Sequence, residues 1–298
     1  MTKRPRLEVR RVLLFLLSAT PLAAGMYACT GQVPAVPNDG DPSTAQGSGG
    51  GGDLPAGLDP RTDDQLVCDK PSVAVTPLRR LTNAEYDNTV ADLFAGFAVG
   101  KPSQELRFPA DAFKGNFSND ASKQEIVSAL AESYFDAAQK IGAAVAVSPE
   151  KLMGCDPAKA QGEDACVVSF VESFGKRAFR RSLEQTERER FMAFYKGQRI
   201  ADAPSVAIGS LVQRFLMSPQ FLYRIESGTA SSKERTQKLN SWQMASRLSY
   251  LLAATMPDAE LLAAAESDHL STADDVADQA ERLMRTDRAR AVRERSVC

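Results

Sequence analysis

Apolar side chains recur at every third or fourth position along most of the chain from Leu78 onward, which is the spacing of one buried helical face. The first run follows Thr82-Asn83-Ala84-Glu85, a capping box in which the threonine hydroxyl accepts one backbone N–H and the glutamate accepts another. The apolar face behind the box comprises Tyr86, Val90, Leu93, Phe94 and Phe97. The pattern predicts a helix that begins at Thr82.

The same spacing predicts a series of further helices. A second box at Ser122-Lys123-Gln124-Glu125 precedes an apolar face that extends to Val145. Later helices are predicted over residues 167–178, from Thr186, from Pro204, from Asn240 and, as the last of the series, from Ser271 or Thr272, with breaks at Met217-Ser218-Pro219 and Met256-Pro257-Asp258. No stretch alternates with a period of two, so a sheet is not expected. We expect an all-α fold made of multi-helix, bundle-like domains.

The amino end has the features of an export signal. Residues 1–11 are basic, and the apolar stretch that follows is far shorter than the roughly 20 residues that span a bilayer. The stretch ends in Met26-Tyr27-Ala28-Cys29, which resembles the bacterial lipobox. We predict a signal peptide over residues 1–28 and lipidation of Cys29; the alternative is ordinary signal peptidase cleavage near Ala24 or Ala28. The expected location is the cell envelope, lipid-anchored in the outer membrane or periplasmic.

Residues 29–67 are rich in glycine, proline and serine, a composition typical of a flexible tether that would hold a folded head away from the membrane. After the tether we expect an N-terminal helical domain over residues 68–150 and a central helical domain over residues 151–235. An incomplete C-terminal helical domain is expected over residues 236–298.

Composition and charge narrow the function. The chain has 298 residues, of which 43% are hydrophobic and 25% charged, so it can bury a core. Its formal net charge is -2, and removal of the predicted signal peptide, with five basic residues and one acidic, makes it -6. Because nucleic-acid binding depends on Lys and Arg that neutralise phosphates, we expect no nucleic-acid partner.

The residues that usually carry chemistry are few. Cys155 and Cys166 lie close in sequence, and an exported protein meets oxidising conditions, so they are predicted to form a disulfide; the alternative is two free thiols. The single histidine, His269, is expected in a solvent-facing turn. The sequence has no Cys-x-x-Cys pair, phosphate-binding loop or Gly-x-Ser-x-Gly elbow, and we predict no metal and no cofactor. It identifies no catalytic residue.

Two charged groups merit separate interpretation. Lys176, Arg177, Arg180 and Arg181 have spacings that would gather cations near the end of a helix, where they complement the helix dipole and are expected to pair with glutamates such as Glu172 or Glu184. The functional alternative is a contact with an anion or an acidic partner. Three carboxylates on the first helix could serve an enzyme, although a solvated face explains them more simply. They are Glu85, Asp87 and Asp92.

Four ordered motifs carry a family resemblance. They are residues 78–93 (LRRLTNAEYDNTVADL), 174–183 (FGKRAFRRSL), 215–223 (FLMSPQFLY), and 245–252 (ASRLSYLL) with Met256-Pro257-Asp258. From about Cys68 to Arg290 the chain resembles planctomycete and myxobacterial secreted proteins built from domains of unknown function, of the 1592 type. Such proteins are often fused to, or encoded beside, cytochrome c-like modules.

The resemblance implies a compartment and a partner class rather than a reaction. The leader, the tether and the lack of a recognisable site predict a noncatalytic component of an extracytoplasmic assembly, held to a membrane by a lipid anchor. The resemblance implies protein partners that include cytochrome c-like proteins. Family members usually continue beyond the point where this chain ends at residues 291–298, so we expect a truncated chain. The alternative is an extracytoplasmic enzyme that uses carboxylates, with its site partly in the missing C-terminal domains.

Overall fold

The computed structural model describes residues 78–112, 121, 124–157, 162–227 and 238–297. The predicted signal peptide, tether and lipidation site lie outside these residues. The helices are α1 (Asn83–Leu93), α2 (Pro102–Glu105), α3 (Ser128–Val147), α4 (Glu150–Met153), α5 (Glu163–Phe179), α6 (Gln185–Gln198), α7 (Pro204–Leu216), α8 (Pro219–Leu222), α9 (Ser241–Ala253), α10 (Ala259–Glu266), α11 (Ala273–Met284) and α12 (Asp287–Val297). The all-α prediction is confirmed.

Local sequence sets where several helices begin. In a capping box, a side chain before the helix accepts a backbone N–H three residues later, and the side chain there accepts the cap's own N–H. Boxes of this kind pair Thr82 with Glu85, Glu184 with Glu187, Asn240 with Gln243, and Thr272 with Asp275. The predicted starts at Thr82 and Asn240 are therefore confirmed, and Pro204 opens α7 as predicted.

Most of the described helices pack around one cluster, which we call the aromatic core, formed by α1, α3, α5, α6, α7 and α8. Its rings stack or meet edge to face: the Phe191 and Phe215 centroids lie 3.9 Å apart, and Phe174 meets Phe215 at 5.2 Å. At the other end of the core, Tyr86 packs against Tyr134. Burial of these rings is the main driving force for this part of the fold.

Two helices of the aromatic core, α3 and α7, approach closely through glycine. An added Cβ at Gly142 would lie 2.5 Å from the carbonyl oxygen of Gly209, and one at Gly209 would lie 2.5 Å from the oxygen of Gly142. No side chain fits between backbones at that distance, so glycine at both positions sets the separation of the helices.

A second, smaller cluster, the C-terminal cluster, joins α9, α10 and α11. Its buried members are Ala245, Leu248, Leu261, Ala265, Leu270 and Leu283. All carry small or aliphatic side chains, and the exposed side of the cluster carries ion pairs such as Arg282 with Asp258 at 2.8 Å.

One prediction about strands was wrong. β1 (Arg79–Arg80) pairs antiparallel with β2 (Tyr223–Arg224) in a two-stranded sheet, with Arg79 opposite Arg224. Each strand has only two residues, too short for any alternation to be visible in the sequence.

Three helix boundaries also differ from prediction. α3 begins at Ser128 rather than at the Ser122 box, because residues 124–127 are not helical and Ile126 packs against the aromatic core from that segment. α1 ends at Leu93, so Phe97 reaches the core from the turn that follows. The helix capped by Thr272 is not the last, since α12 follows it.

The predicted disulfide is confirmed. Cys155 and Cys166 are bonded, with their Cα atoms 6.2 Å apart, and the bond links the segment after α4 to the start of α5. It closes a loop of sequence separation 11, for which chain entropy predicts a contribution of about 3 kcal/mol to the free energy of unfolding.

Candidate functional site

A buried arginine joins the central helices to the segment after α7. Arg180 ends α5 in the left-handed region, with φ of 58°, and its side chain turns inward. Its guanidinium donates to the carbonyl oxygens of Gln220, Phe221 and Tyr223, at 2.6 Å, 3.1 Å and 2.7 Å, and to the Tyr250 hydroxyl at 3.2 Å. The guanidinium can be buried with its charge because these hydrogen bonds replace those that it would make to water.

Tyr250 of α9 connects this arginine to α1. Its hydroxyl lies 3.0 Å from Thr89 Oγ1, and the ring packs beneath the guanidinium of Arg224 at 5.3 Å. Arg224 in turn pairs with Glu85 across 3.8 Å. The result is a continuous buried polar network that ties α1, α5, β2 and α9 together.

The interpretation of the α1 carboxylates as a solvated face was wrong for two of them. Glu85 and Asp87 are each only 6% exposed. Glu85 accepts the backbone N–H of Thr82, and Asp87 accepts both the N–H and the hydroxyl of Ser103. Glu85 combines this local capping bond with an ion pair to Arg224, whereas the partner of Asp87 comes from a different helix, α2, which the pattern of α1 alone cannot reveal.

The Arg79-Arg80 segment has a comparable joining role. Arg80 donates to the Tyr134 hydroxyl at 2.9 Å and to Asp111 at 2.8 Å, and Asp111 also accepts the backbone N–H of Asn83. Burial raises the pKa of Tyr134 to about 12, so the phenol is neutral and can accept from Arg80.

The third carboxylate, Asp92, lies half-buried at the end of α1 and borders a cavity. It accepts the Thr255 hydroxyl at 2.6 Å and the Arg288 guanidinium at 2.7 Å. Its backbone oxygen accepts Nη2 of Arg177 at 2.7 Å. Asp92 therefore joins α1 to α5, to the turn after α9 and to α12.

The cavity, which we call the junction cleft, has a volume of about 640 Å³ and lies where α1, α5, α9, α10 and the α11–α12 connection meet. Apolar side chains cover most of its wall, among them Ala253, Met256, Pro257, Leu262 and Leu283. Its charged lining consists of Asp92, Lys176, Arg177, Asp258, Glu266 and Arg288. This combination of an apolar wall with a few charged groups is typical of ligand pockets.

The four cations that the sequence grouped together do not form one exposed patch. Arg180 is buried, and Arg181 makes a two-pronged salt bridge with Glu187 at 2.8 Å. Lys176 pairs with Glu266 at 2.6 Å. Glu172, expected as a partner, pairs instead with Arg188. Only Lys176 and Arg177 reach the junction cleft.

Other sequence-based expectations concern exposed or absent groups. His269 is exposed in the turn after α10, as expected. Within the described ranges no group of three or more His, Cys, Asp or Glu residues could hold a metal ion. Among those same residues, no helix combines the length and the apolar character needed to cross a bilayer.

Sequence reasoning missed the junction cleft. The available signal was the Met256-Pro257-Asp258 break, because a break between two amphipathic helices leaves side chains on both of them facing a gap. Arg288 gave no signal, since it comes from a helix without an apolar face.

Comparison with protein families gives three matches in order along the chain. PSD3, a protein family of unknown function (DUF1587), matches residues 79–147; PSD5 (DUF1595) matches residues 166–226; PSD4 (DUF1592) matches residues 239–297. The chain belongs to the DUF1592-type multi-domain family of unknown function. Searches of curated proteins and of solved structures found no match.

The residues that line the junction cleft come from all three family matches of this DUF1592-type protein. Asp92 belongs to the DUF1587 match, Lys176 and Arg177 to the DUF1595 match, and the α9 to α12 wall to the DUF1592 match. All three domains contribute to the cleft, so it exists only when they are packed together.

Proposed function

We propose that this chain is an exported, lipid-anchored and noncatalytic component of an extracytoplasmic assembly, with a cytochrome c-like protein among its partners. The observation that carries the noncatalytic part is the use of the α1 carboxylates. An enzyme hypothesis would need Glu85, Asp87 and Asp92. Glu85 caps its own helix, and Asp87 and Asp92 accept hydrogen bonds from Ser103 and Thr255 in other segments.

The carboxylates also lack the arrangement that acid–base catalysis requires. General acid–base catalysis needs a group within hydrogen-bond reach of a substrate, with a proton that it can gain or lose. Asp87 is buried against Ser103, and Glu85 against Thr82 and Arg224. Asp92 alone borders a cavity, and both of its carboxylate oxygens are occupied.

Export and anchoring are supported by the basic, apolar amino end and by Met26-Tyr27-Ala28-Cys29. Globomycin treatment should make the unprocessed precursor accumulate. Cys29→Ala should likewise block processing of the precursor, whereas the control Cys68→Ala should be processed as the parent is. Processing that neither globomycin nor Cys29→Ala affects would contradict the lipid anchor.

The partner class is supported by the family resemblance. The full chain, recovered from its native envelope under mild detergent, should bring down a protein with the Soret absorbance of haem. Absence of haem from every stable complex would contradict the cytochrome link. Turnover of a substrate by the purified chain alone would contradict the noncatalytic role.

A further inference from the structure

The junction cleft has the dimensions of a small-molecule site. Its volume of about 640 Å³ lies within the roughly 300 to 1,000 Å³ range of ligand pockets. Met256, Leu262 and Leu283 supply an apolar wall that could cover a hydrocarbon or aromatic body. The charged residues of the lining determine which polar group such a ligand would carry.

Every carboxylate that lines the cleft already has a cationic partner. Asp92 accepts Arg288, and Glu266 accepts Lys176. Asp258 accepts two bonds from Arg282, at 2.8 and 2.9 Å. No negative charge in the lining is left over for a cationic ligand.

Arg177 differs from the other charged residues of the lining. Its one hydrogen bond among the described residues goes to a neutral acceptor, the backbone oxygen of Asp92, although a guanidinium has five N–H donors. None of the described carboxylates forms a salt bridge with it. Burial lowers the pKa of Arg177, and the nearby charge of Asp92 opposes this only in part. An anion beside Arg177 would therefore meet a guanidinium that no described carboxylate pairs with directly.

We propose that the junction cleft binds a small amphiphilic carboxylate, with its oxyanion on the guanidinium of Arg177 and its apolar body against Met256, Leu262 and Leu283. The planar fork of arginine matches a carboxylate through two parallel hydrogen bonds. The site lies at the meeting point of the three family domains and depends neither on the lipid anchor nor on a cytochrome partner.

The test compares matched acids and amides. The full chain is recovered from cells and freed of anionic detergent. Calorimetry then compares the binding of octanoate with that of octanamide, and the binding of 4-phenylbutyrate with that of 4-phenylbutanamide. We expect at least one acid to bind on the order of tenfold more tightly than its amide, since hydrogen bonds to charged groups are the strong ones. Equal binding within both pairs, or no binding of any probe, overturns the proposal.

Variants test whether Arg177 and the junction cleft account for the tighter binding of the acid. Arg177→Gln should reduce the affinity for the acid to that for the amide, whereas Arg188→Gln, at a surface arginine of α6, should keep the parent preference. Ala263→Phe fills the cleft from an exposed position on its wall and should weaken acid and amide alike. Retention of the acid preference in Arg177→Gln, or unchanged binding in Ala263→Phe, overturns the proposal. If circular dichroism shows that Arg177→Gln is unfolded, the Ala263→Phe result decides.

Discussion

The aromatic core and the C-terminal cluster are stabilised in different ways. The core interlocks large rings, such as Phe191 stacked on Phe215, and brings two helix backbones together at Gly142 and Gly209. The cluster packs aliphatic side chains such as Leu261 beneath surface ion pairs. Packing that depends on matched shapes should tolerate few substitutions, whereas small aliphatic contacts can relax around a change. We therefore expect the substitutions that destabilise the protein most to lie in α3, α5, α6 and α7.

The largest effect should follow from the removal of a central ring. Phe215→Ala should lower the free energy of unfolding by about 3 to 5 kcal/mol, because Phe174, Phe179 and Phe191 all lose their partner. Leu261→Ala, its counterpart in the C-terminal cluster, should cost about 2 to 3 kcal/mol, since its neighbours can partly close the cavity. Urea unfolding followed by circular dichroism measures both. Equal losses would remove the contrast between the two regions.

A methyl group between α3 and α7 should produce the next largest effect. Gly142→Ala places a Cβ against the carbonyl oxygen of Gly209, so the helices must separate, and we expect a loss of about 2 kcal/mol. Gly197→Ala on α6 is the control, because an added Cβ there meets nothing within 4 Å. It should stabilise by about 0.5 kcal/mol through helix propensity. Denaturant midpoints with unchanged slopes would report both, and a neutral Gly142→Ala would disprove the close approach.

Two buried tyrosines extend the comparison to polar groups inside the aromatic core. Tyr250→Phe should cost about 1 to 2 kcal/mol, because its hydroxyl joins Thr89 of α1 to Arg180. Tyr86→Phe should be neutral or slightly stabilising, since the Tyr86 hydroxyl is buried without a partner among the described residues. Thermal and urea unfolding should show a loss of stability in Tyr250→Phe and none in Tyr86→Phe. A costly Tyr86→Phe would indicate a partner for that hydroxyl.

The smallest effect concerns pH and an ion pair at the edge of the aromatic core. Hydrogen bonds from Arg199 and Tyr195 hold the pKa of Glu163 below its ordinary value of 4.5. A carboxyl group with a lowered pKa stabilises the fold above that ordinary value, and this contribution is lost as the pH falls through the lowered pKa. Glu163→Gln should therefore flatten the decline in stability below about pH 4.5.

Urea titrations at pH 7, 5, 4 and 3 would follow the decline. The exposed Glu150→Gln on α4 is the control and should keep the parent slope. A Glu163→Gln slope equal to that of the parent would assign the acid sensitivity to other groups.

The sequence predicted the parts of the fold that local patterns determine. Apolar spacing and caps located most helices, and Thr82 and Asn240 cap where expected. α12 escaped prediction because it has no apolar face, and over residues 287–294 it buries only Ala289. The sheet escaped because each strand is two residues long and its partner is remote in sequence.

The candidate site was less predictable than the fold. Burial of Glu85 and Asp87 depends on Arg224 and Ser103, which come from other elements. The four cations do lie near the end of α5, as the sequence predicted. Arg180 turns inward, however, because three carbonyl groups remote in sequence accept its hydrogen bonds. A cleft built from three domains has no contiguous sequence signature.

The contacts that close the junction cleft connect residues far apart along the chain. The side chain of Asn88 donates to Ala254 across 166 residues, and Arg288 reaches Asp92 across 196. During synthesis from the amino end, α1 is therefore made long before Ala254 and Arg288, the partners of its Asn88 and Asp92. Contacts of such long range slow folding and leave partly folded chains prone to aggregation. The three domains should then mature together, late, as one cooperative event, and a chain that ends before α12 should still be open to proteases at α1.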